Sequence, residues 1–418
     1  MNTAASTSAF SALGHLYTPA TRDTPRTAVI EAGVSWSLKA AATSEADVIV
    51  WGRLPMPPQT PLLSMSASAL KREFVLARSR VRGLDSLHIV GVHRLEPPSW
   101  RGGMVRNALR HATLGGAILE LSRVGRTHRV LDEVIEAAGA QPAEGAKLRP
   151  SYEGSALGAI RLEPGVPAIL RVAAEDSPAG PQTAADALRA LEKADLDSIP
   201  RLFDSDVTCG AAWTTETLLS GRRPKSLTED LSHQVARLCA RFPSSESPAT
   251  SLRDRLALIG ARIPKWSATL RQLVVSTDEV VAGSPSVLQH GDLWTGNLLV
   301  SQGRLSGLVD WDGWHPAGLP GVDLLHLLIA EQRMDNLGSH GHVWSTRPWE
   351  SSRFRLVSEG YWRTLGLHPS PRYLFALGVD WWASRIANYL SKAPYLTSDK
   401  RWVVDNVDAV LHQIERDL

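Results

Sequence analysis

The stretch SVLQHGDLWTGNLLVSQGRLSGLVDWDGWHPAGLPGVDLLHLLI, Ser286–Ile329, decides how the rest of the chain is read. A short apolar run, Val287 and Leu288, leads into His290, Gly291 and Asp292. Asn297 follows, and then the strand-like Leu298, Leu299 and Val300. Gln302 and Gly303 read as a turn, and Leu305 to Val309 return as a second strand that ends on Asp310. Such a hairpin would bring Asp292, Asn297 and Asp310 to one place. A turn alone needs no such set of side chains.

Phosphoryl transfer does need one. A carboxylate must orient the acceptor hydroxyl and take its proton, and hard oxygen donors must hold Mg²⁺ on the phosphates. Kinase catalytic loops carry these groups in the order H-x-D-L-x-x-x-N. His290-Gly-Asp292-Leu-Trp-Thr-Gly-Asn297 keeps that spacing. Together with Gly307 to Leu325, the segment resembles the signature of the aminoglycoside phosphotransferase and choline kinase-like family. The resemblance implies Asp292 as catalytic base, Asn297 and Asp310 as Mg²⁺ ligands, and ATP as phosphoryl donor, with GTP as an alternative. It implies supporting roles for His290, Asp323 and, more weakly, Asp312. Trp294, Trp311 and Trp314 are read as packing residues.

Outward from this segment, Leu227 to Leu418 is mostly helical. Apolar residues recur at helical spacing in Leu231–Phe242, Leu252–Ile259, Arg353–Leu365, Tyr373–Leu390 and Val403–Ile414. Upstream, about 140 to 221 reads as a small β-rich lobe with a turn at Gly154 and Ser155. A strand runs from Pro167 to Ala174, a helix from Ala184 to Ala194, and two further strands cover Ile199–Asp204 and Ala212–Ser220. The position where such lobes carry a phosphate-binding lysine holds Arg171, and the helix position of its usual glutamate partner holds Ala184. Asp186 and Glu192 are substitute partners. Gly154, Ser155, Arg171 and the chain around Glu216 are the nucleotide-side candidates that the resemblance implies. An arginine can bind phosphate bidentately, though with a different reach from lysine. These departures leave a second reading open, a catalytically weak pseudokinase acting as nucleotide sensor or scaffold.

Residues 1 to 140 have another texture. Asp47–Gly52, Leu87–His93 and Gly116–Ser122 read as strands, and Leu70–Arg82 and Leu131–Ala138 as helices. That alternation suggests an α/β layer. Trp100 to Ala140 looks like the last part of a methyltransferase-type Rossmann domain, without the G-x-G-x-x-G that would bind a cofactor. The expected fold is thus an N-terminal α/β, partly Rossmann-like domain over 1–140, then a bilobal kinase-like domain. Its small lobe covers 141–221 and its helical large lobe 222–418, with the catalytic loop at 286–329.

Composition fits these readings. Of 418 residues, 43% are hydrophobic and 21% charged, enough for large cores and against wholesale disorder. A formal net charge of +2 gives no general pull toward nucleic acid or anionic membrane. Cys209 and Cys239 form no CxxC pair, which argues against a zinc site or a disulfide framework. No leading segment has the pattern of a signal peptide, and no apolar run approaches the roughly 20 residues of a bilayer span. A cytoplasmic enzyme acting on a small hydroxylated substrate, with no nucleic-acid or membrane partner, is the expectation.

Overall fold

The structure is a computed structural model that describes residues 15–16, 20, 27–31, 48–53, 86–88, 117–122, 129–142, 149–150, 155–174, 180–245, 249, 251–336, 339–392 and 394–417. The chain divides into two compact units, Met1–Ala185 with Arg201–Leu218, and Asp186–Pro200 with Leu219–Leu418.

The first unit begins with a four-stranded sheet: β1 (Thr27–Glu31), β2 (Val48–Arg53), β3 (Ser86–His88) and β4 (Ala117–Ser122), in the order β1-β2-β4-β3. β1 and β2 are parallel, with Thr27 opposite Val48. β4 runs antiparallel to both β2 and β3. This corrects the expectation of a partly Rossmann-like layer with a methyltransferase-type end. A doubly wound sheet is built from parallel neighbours joined by crossover helices, whereas two of these three pairings are antiparallel. The expected helix over Leu70–Arg82 and the end of the expected strand Leu87–His93 lie outside the described residues.

The second sheet of this unit follows helix α1 (Val130–Ala137) and contains β5 (Ala140–Pro142), β6 (Arg149–Pro150), β7 (Ser155–Leu162), β8 (Val166–Ala174), β9 (Leu202–Thr208) and β10 (Ala211–Thr217). Its order is β5-β7-β8-β10-β9, with β6 also on β7, and every pairing is antiparallel. Strand alternation drives one face inward: Ala156, Ile160, Ala168, Leu170, Val172, Ala211 and Trp213 are all at most 2% exposed. Val130, Leu131 and Val134 of α1, together with Leu16, cover that face. The Leu131 amide also donates to the Leu16 carbonyl at 2.8 Å. A boundary at residue 140 therefore passes between a helix and the sheet that buries it. Helix α2 (Pro181–Glu192) follows β8 in the chain.

The second unit is mainly helical. In chain order it holds α3 (Glu229–Cys239), α4 (Ser251–Arg262), α5 (Ser267–Ala282), β11 (Ser286–Gln289), β12 (Leu298–Ser301), β13 (Arg304–Leu308), β14 (His315–Gly318), α6 (Val322–Asn336), α7 (Ser352–Leu365) and α8 (Pro371–Lys392). A π-helical turn, Val404–Asp408, then leads into a last helix, Ala409–Asp417. Trp344, Trp349, Trp381 and Trp382 are buried at 2% exposure or less, so these four tryptophans serve packing. No helix among the described residues is long and apolar enough to cross a membrane.

Candidate active site

β11 is buried along its whole length, and His290 stands at its end. His290 is fully buried and its ring lies 4.5 Å from that of Trp311. Its Nε2 is 3.0 Å from the Val309 carbonyl, and its Nδ1 is 3.3 Å from the Asp292 amide. A carbonyl can only accept and an amide can only donate, so these two bonds are met with the Nε2 proton on the carbonyl side. His290 thus braces the loop.

Asp323, in the first turn of α6, caps the same loop from below. Its two oxygens accept from the amides of His290 at 2.6 Å and Gly291 at 3.0 Å. Burial pushes its carboxyl up, against the two amides, which favour the charged form. The start of α6 is itself pinned: Tyr373 donates to the Pro320 carbonyl at 3.0 Å, and Tyr361 accepts from the Gly321 amide at 3.1 Å. Gly291 has φ +78°, and a Cβ there would stand 1.8 Å from the Gly313 carbonyl oxygen. The two chain segments can pass only because that position has no side chain.

The Asp292 carboxylate emerges from this braced loop with its side chain 43% exposed. Arg385 of α8 donates from Nη1 to Oδ1 at 2.9 Å, and its Nη2 donates to the Gly291 carbonyl. Nε2 of His326, one turn along α6 from Asp323, lies 3.6 Å from the same Oδ1, too far for a hydrogen bond. The His326 ring meets two donors. Trp381 Nε1 is 3.2 Å from Nδ1, and Arg385 Nη1 is 3.2 Å from Nε2. A ring nitrogen that carries a proton cannot accept, so the ring cannot accept from both donors at once unless both nitrogens are bare. Burial alone would raise the Asp292 carboxyl, but the His326 ring and the Arg385 guanidinium hold it well below the usual carboxylate range.

β12 and β13 form the expected hairpin, with Leu298 opposite Leu308. One step beyond that pair the Val309 amide donates to the Asn297 carbonyl at 3.0 Å, which sets Asn297 and Asp310 at the same end. Asn297 is 2% exposed, and its Nδ2 donates to the Asp292 carbonyl at 2.9 Å and approaches Asp292 Oδ2 at 3.5 Å. Asp310 adopts the left-handed conformation, φ 73° and ψ 67°, which turns the chain out of β13 into the short helical turn Trp311–Gly313. Asp312 lies within that turn. With Nδ2 committed to the loop, the Asn297 amide oxygen and the Asp310 carboxylate, at the same end of the hairpin, are hard donors of the kind Mg²⁺ takes, and in donor chemistry they fit the ion.

In the first unit, Arg171 on β8 and Glu216 on β10 form a buried ion pair, Nε to Oε1 at 3.1 Å. Arg171 is registered opposite Thr214, two residues from Glu216, so the partners lie diagonally on one face. The partner of Arg171 is thus a neighbouring strand's glutamate. Of the helix residues considered from sequence, Ala184 is buried and Asp186 bonds the exposed Arg189 at 2.8 Å. Ser155 begins β7, and Gly154 lies outside the described residues.

Arg385, His326 and Trp381 escaped the sequence reading. A signal was available for Arg385: it is one basic residue in a helix whose neighbours Trp381, Trp382, Ala383 and Ile386 are fully buried.

No curated protein matches the chain. Among solved structures, the macrolide 2'-phosphotransferase MphH from Brachybacterium faecium is 17% identical with a TM-score of 0.45, covering 66% of this chain and 97% of that one. The aminoglycoside phosphotransferase APH(3'')-Id from Streptomyces rimosus, solved with ADP and streptomycin, is 17% identical with a TM-score of 0.39, covering 60% and 96%. A family model matches residues 109–354, more than half of the 418, and takes in the sheet from α1 to β10 and the whole segment from His290 to Asp323. The chain therefore belongs to the phosphotransferase enzyme family, whose members pass a phosphoryl group to hydroxyl groups of small molecules.

Proposed function

We propose that the protein is an ATP- and Mg²⁺-dependent kinase of a small hydroxylated molecule. The observation that carries this reading is the Asp292 carboxylate, kept ionised by Arg385, half-exposed, and set beside the Asn297–Asp310 pair. One oxygen, Oδ1, is occupied by the guanidinium. The other would orient the acceptor hydroxyl and take its proton as the oxygen attacks phosphorus. Mg²⁺ held by Asn297 and Asp310 would neutralise charge on the phosphates. Asp323 and His290 keep the loop backbone fixed while this happens. In the first unit, Arg171 is the proposed phosphate contact, with Gly154, Ser155 and the Glu216 segment as further nucleotide contacts. GTP is the alternative donor.

The test is Asp292→Asn. MgATP should bind as it does to the wild type, while turnover with any acceptor, water included, falls about 10²–10⁴-fold, the usual cost of losing a general base. A wild type that binds MgATP yet turns over no acceptor, and is indistinguishable from the variant, would favour the pseudokinase. That second reading draws on the engagement of Arg171 by Glu216.

A further inference from the structure

Arg385 is 93 residues from Asp292 in sequence and belongs to a helix in which Trp381, Trp382, Ala383 and Ile386 are fully buried. Its guanidinium spends one arm on the Asp292 carboxylate and the other on the Gly291 carbonyl. Its Nε is buried and makes no hydrogen bond. Leaving a buried donor unmet is costly, so packing preference does not account for this placement. The two bonds to the loop do. They fix the Oδ1 edge of the base and leave Oδ2, near Asn297 Nδ2 at 3.5 Å, as the edge that faces an acceptor.

Resting on the kinase reading above, we propose that Arg385 is a positioning residue: it holds the Asp292 carboxylate, through Oδ1 and the neighbouring Gly291 carbonyl, in the place from which Oδ2 takes the proton of the acceptor. The positioning follows from the fork, which spans carboxylate and carbonyl together as a lysine ammonium cannot.

The experiment uses the full chain as wild type, Arg385→Met and Arg385→Lys. Melting temperature and MgATP affinity are measured first by calorimetry, and then the rate of MgATP turnover with water as the acceptor. Arg385→Met should bind MgATP as the wild type does and lose about 100-fold in kcat with KM for MgATP unchanged, the signature of a displaced base. Arg385→Lys should recover part of the rate. Unchanged kcat in Arg385→Met overturns the proposal and leaves the kinase reading intact. A wild type that neither binds nor turns over MgATP overturns both.

Discussion

Two arginine–carboxylate pairs define this molecule, and they are built to different ends. Arg171–Glu216 joins neighbouring strands with side chains 11% and 5% exposed. Arg385–Asp292 joins a helix to a loop, and there the arginine is again 11% exposed but the carboxylate is 43% exposed. In the first pair both charges are withdrawn from water and each depends on the other. In the second the cation is withdrawn and the anion is left half in solvent, braced from behind by Asp323 and His290. A sunk pair adds little net stability and is costly to break, whereas a half-exposed carboxylate with its cation already in place stays ionised and open on one side.

Amidation of each carboxylate separates the two roles most sharply. Asp292→Asn should lower turnover about 10²–10⁴-fold and shift the melting temperature little. Glu216→Gln should do the reverse in kind, with unfolding in urea showing the loss. Deleting one partner of the sunk pair goes further. Glu216→Ala or Arg171→Ala should cost about 3–5 kcal/mol, while Arg171→Met with Glu216→Leu should return near wild-type stability, because the uncompensated charge is gone. If the double variant also keeps MgATP affinity, Arg171 is a strand brace and not a phosphate contact. If affinity collapses while stability returns, the nucleotide role of Arg171 stands.

Gly291→Ala probes the loop that carries the half-exposed pair. The added methyl would meet the Gly313 carbonyl oxygen at 1.8 Å, a backbone atom that cannot rotate away, at a position with φ +78°. The backbone strain alone should cost about 1–3 kcal/mol, and the shift it forces on Asp292 should lower kcat more than it changes MgATP affinity. Equal kcat in this variant would mean that the tight pass of the loop under Gly313 is not what places the base.

The catalytic loop was legible in the sequence because its chemistry is local. His290, Asp292 and Asn297 lie within eight consecutive positions, and the hairpin that returns Asp310 to them is marked by Gln302 and Gly303. Most of the helices were legible for the same reason. α5 was not seen, since LVVSTDEVVA is rich in β-branched residues and reads ambiguously. The direction of the N-terminal strands is not a local property, so an alternating pattern suggested a parallel layer where the ladders are mixed. Glu216 was marked for its backbone, and its side-chain role depends on a cross-strand register that the sequence does not print. Arg385 depends on how α8 packs against the loop, a long-range fact visible in sequence only as a charge inside an apolar helix.

The finest test of the half-exposed pair lies behind it, at Trp381. Its ring is fully buried, and its Nε1, which can only donate, lies 3.2 Å from His326 Nδ1. Arg385 Nη1 approaches the opposite nitrogen at the same 3.2 Å. A neutral ring can accept from one of these donors and not both, so Trp381 and Arg385 compete for a single lone pair. Trp381→Phe removes one competitor and keeps most of the apolar surface. The lost hydrogen bond should cost about 0.5–1.5 kcal/mol, with some further loss from the smaller ring. His326 is then free to turn its acceptor nitrogen toward Arg385, which would draw the guanidinium from Asp292. A drop in kcat of a few-fold, with MgATP affinity unchanged and no further drop when Trp381→Phe is added to Arg385→Met, would place Trp381 in one unit with the pair. Additive losses in the double variant would instead make Trp381 a core residue whose indole nitrogen has no part in holding the base.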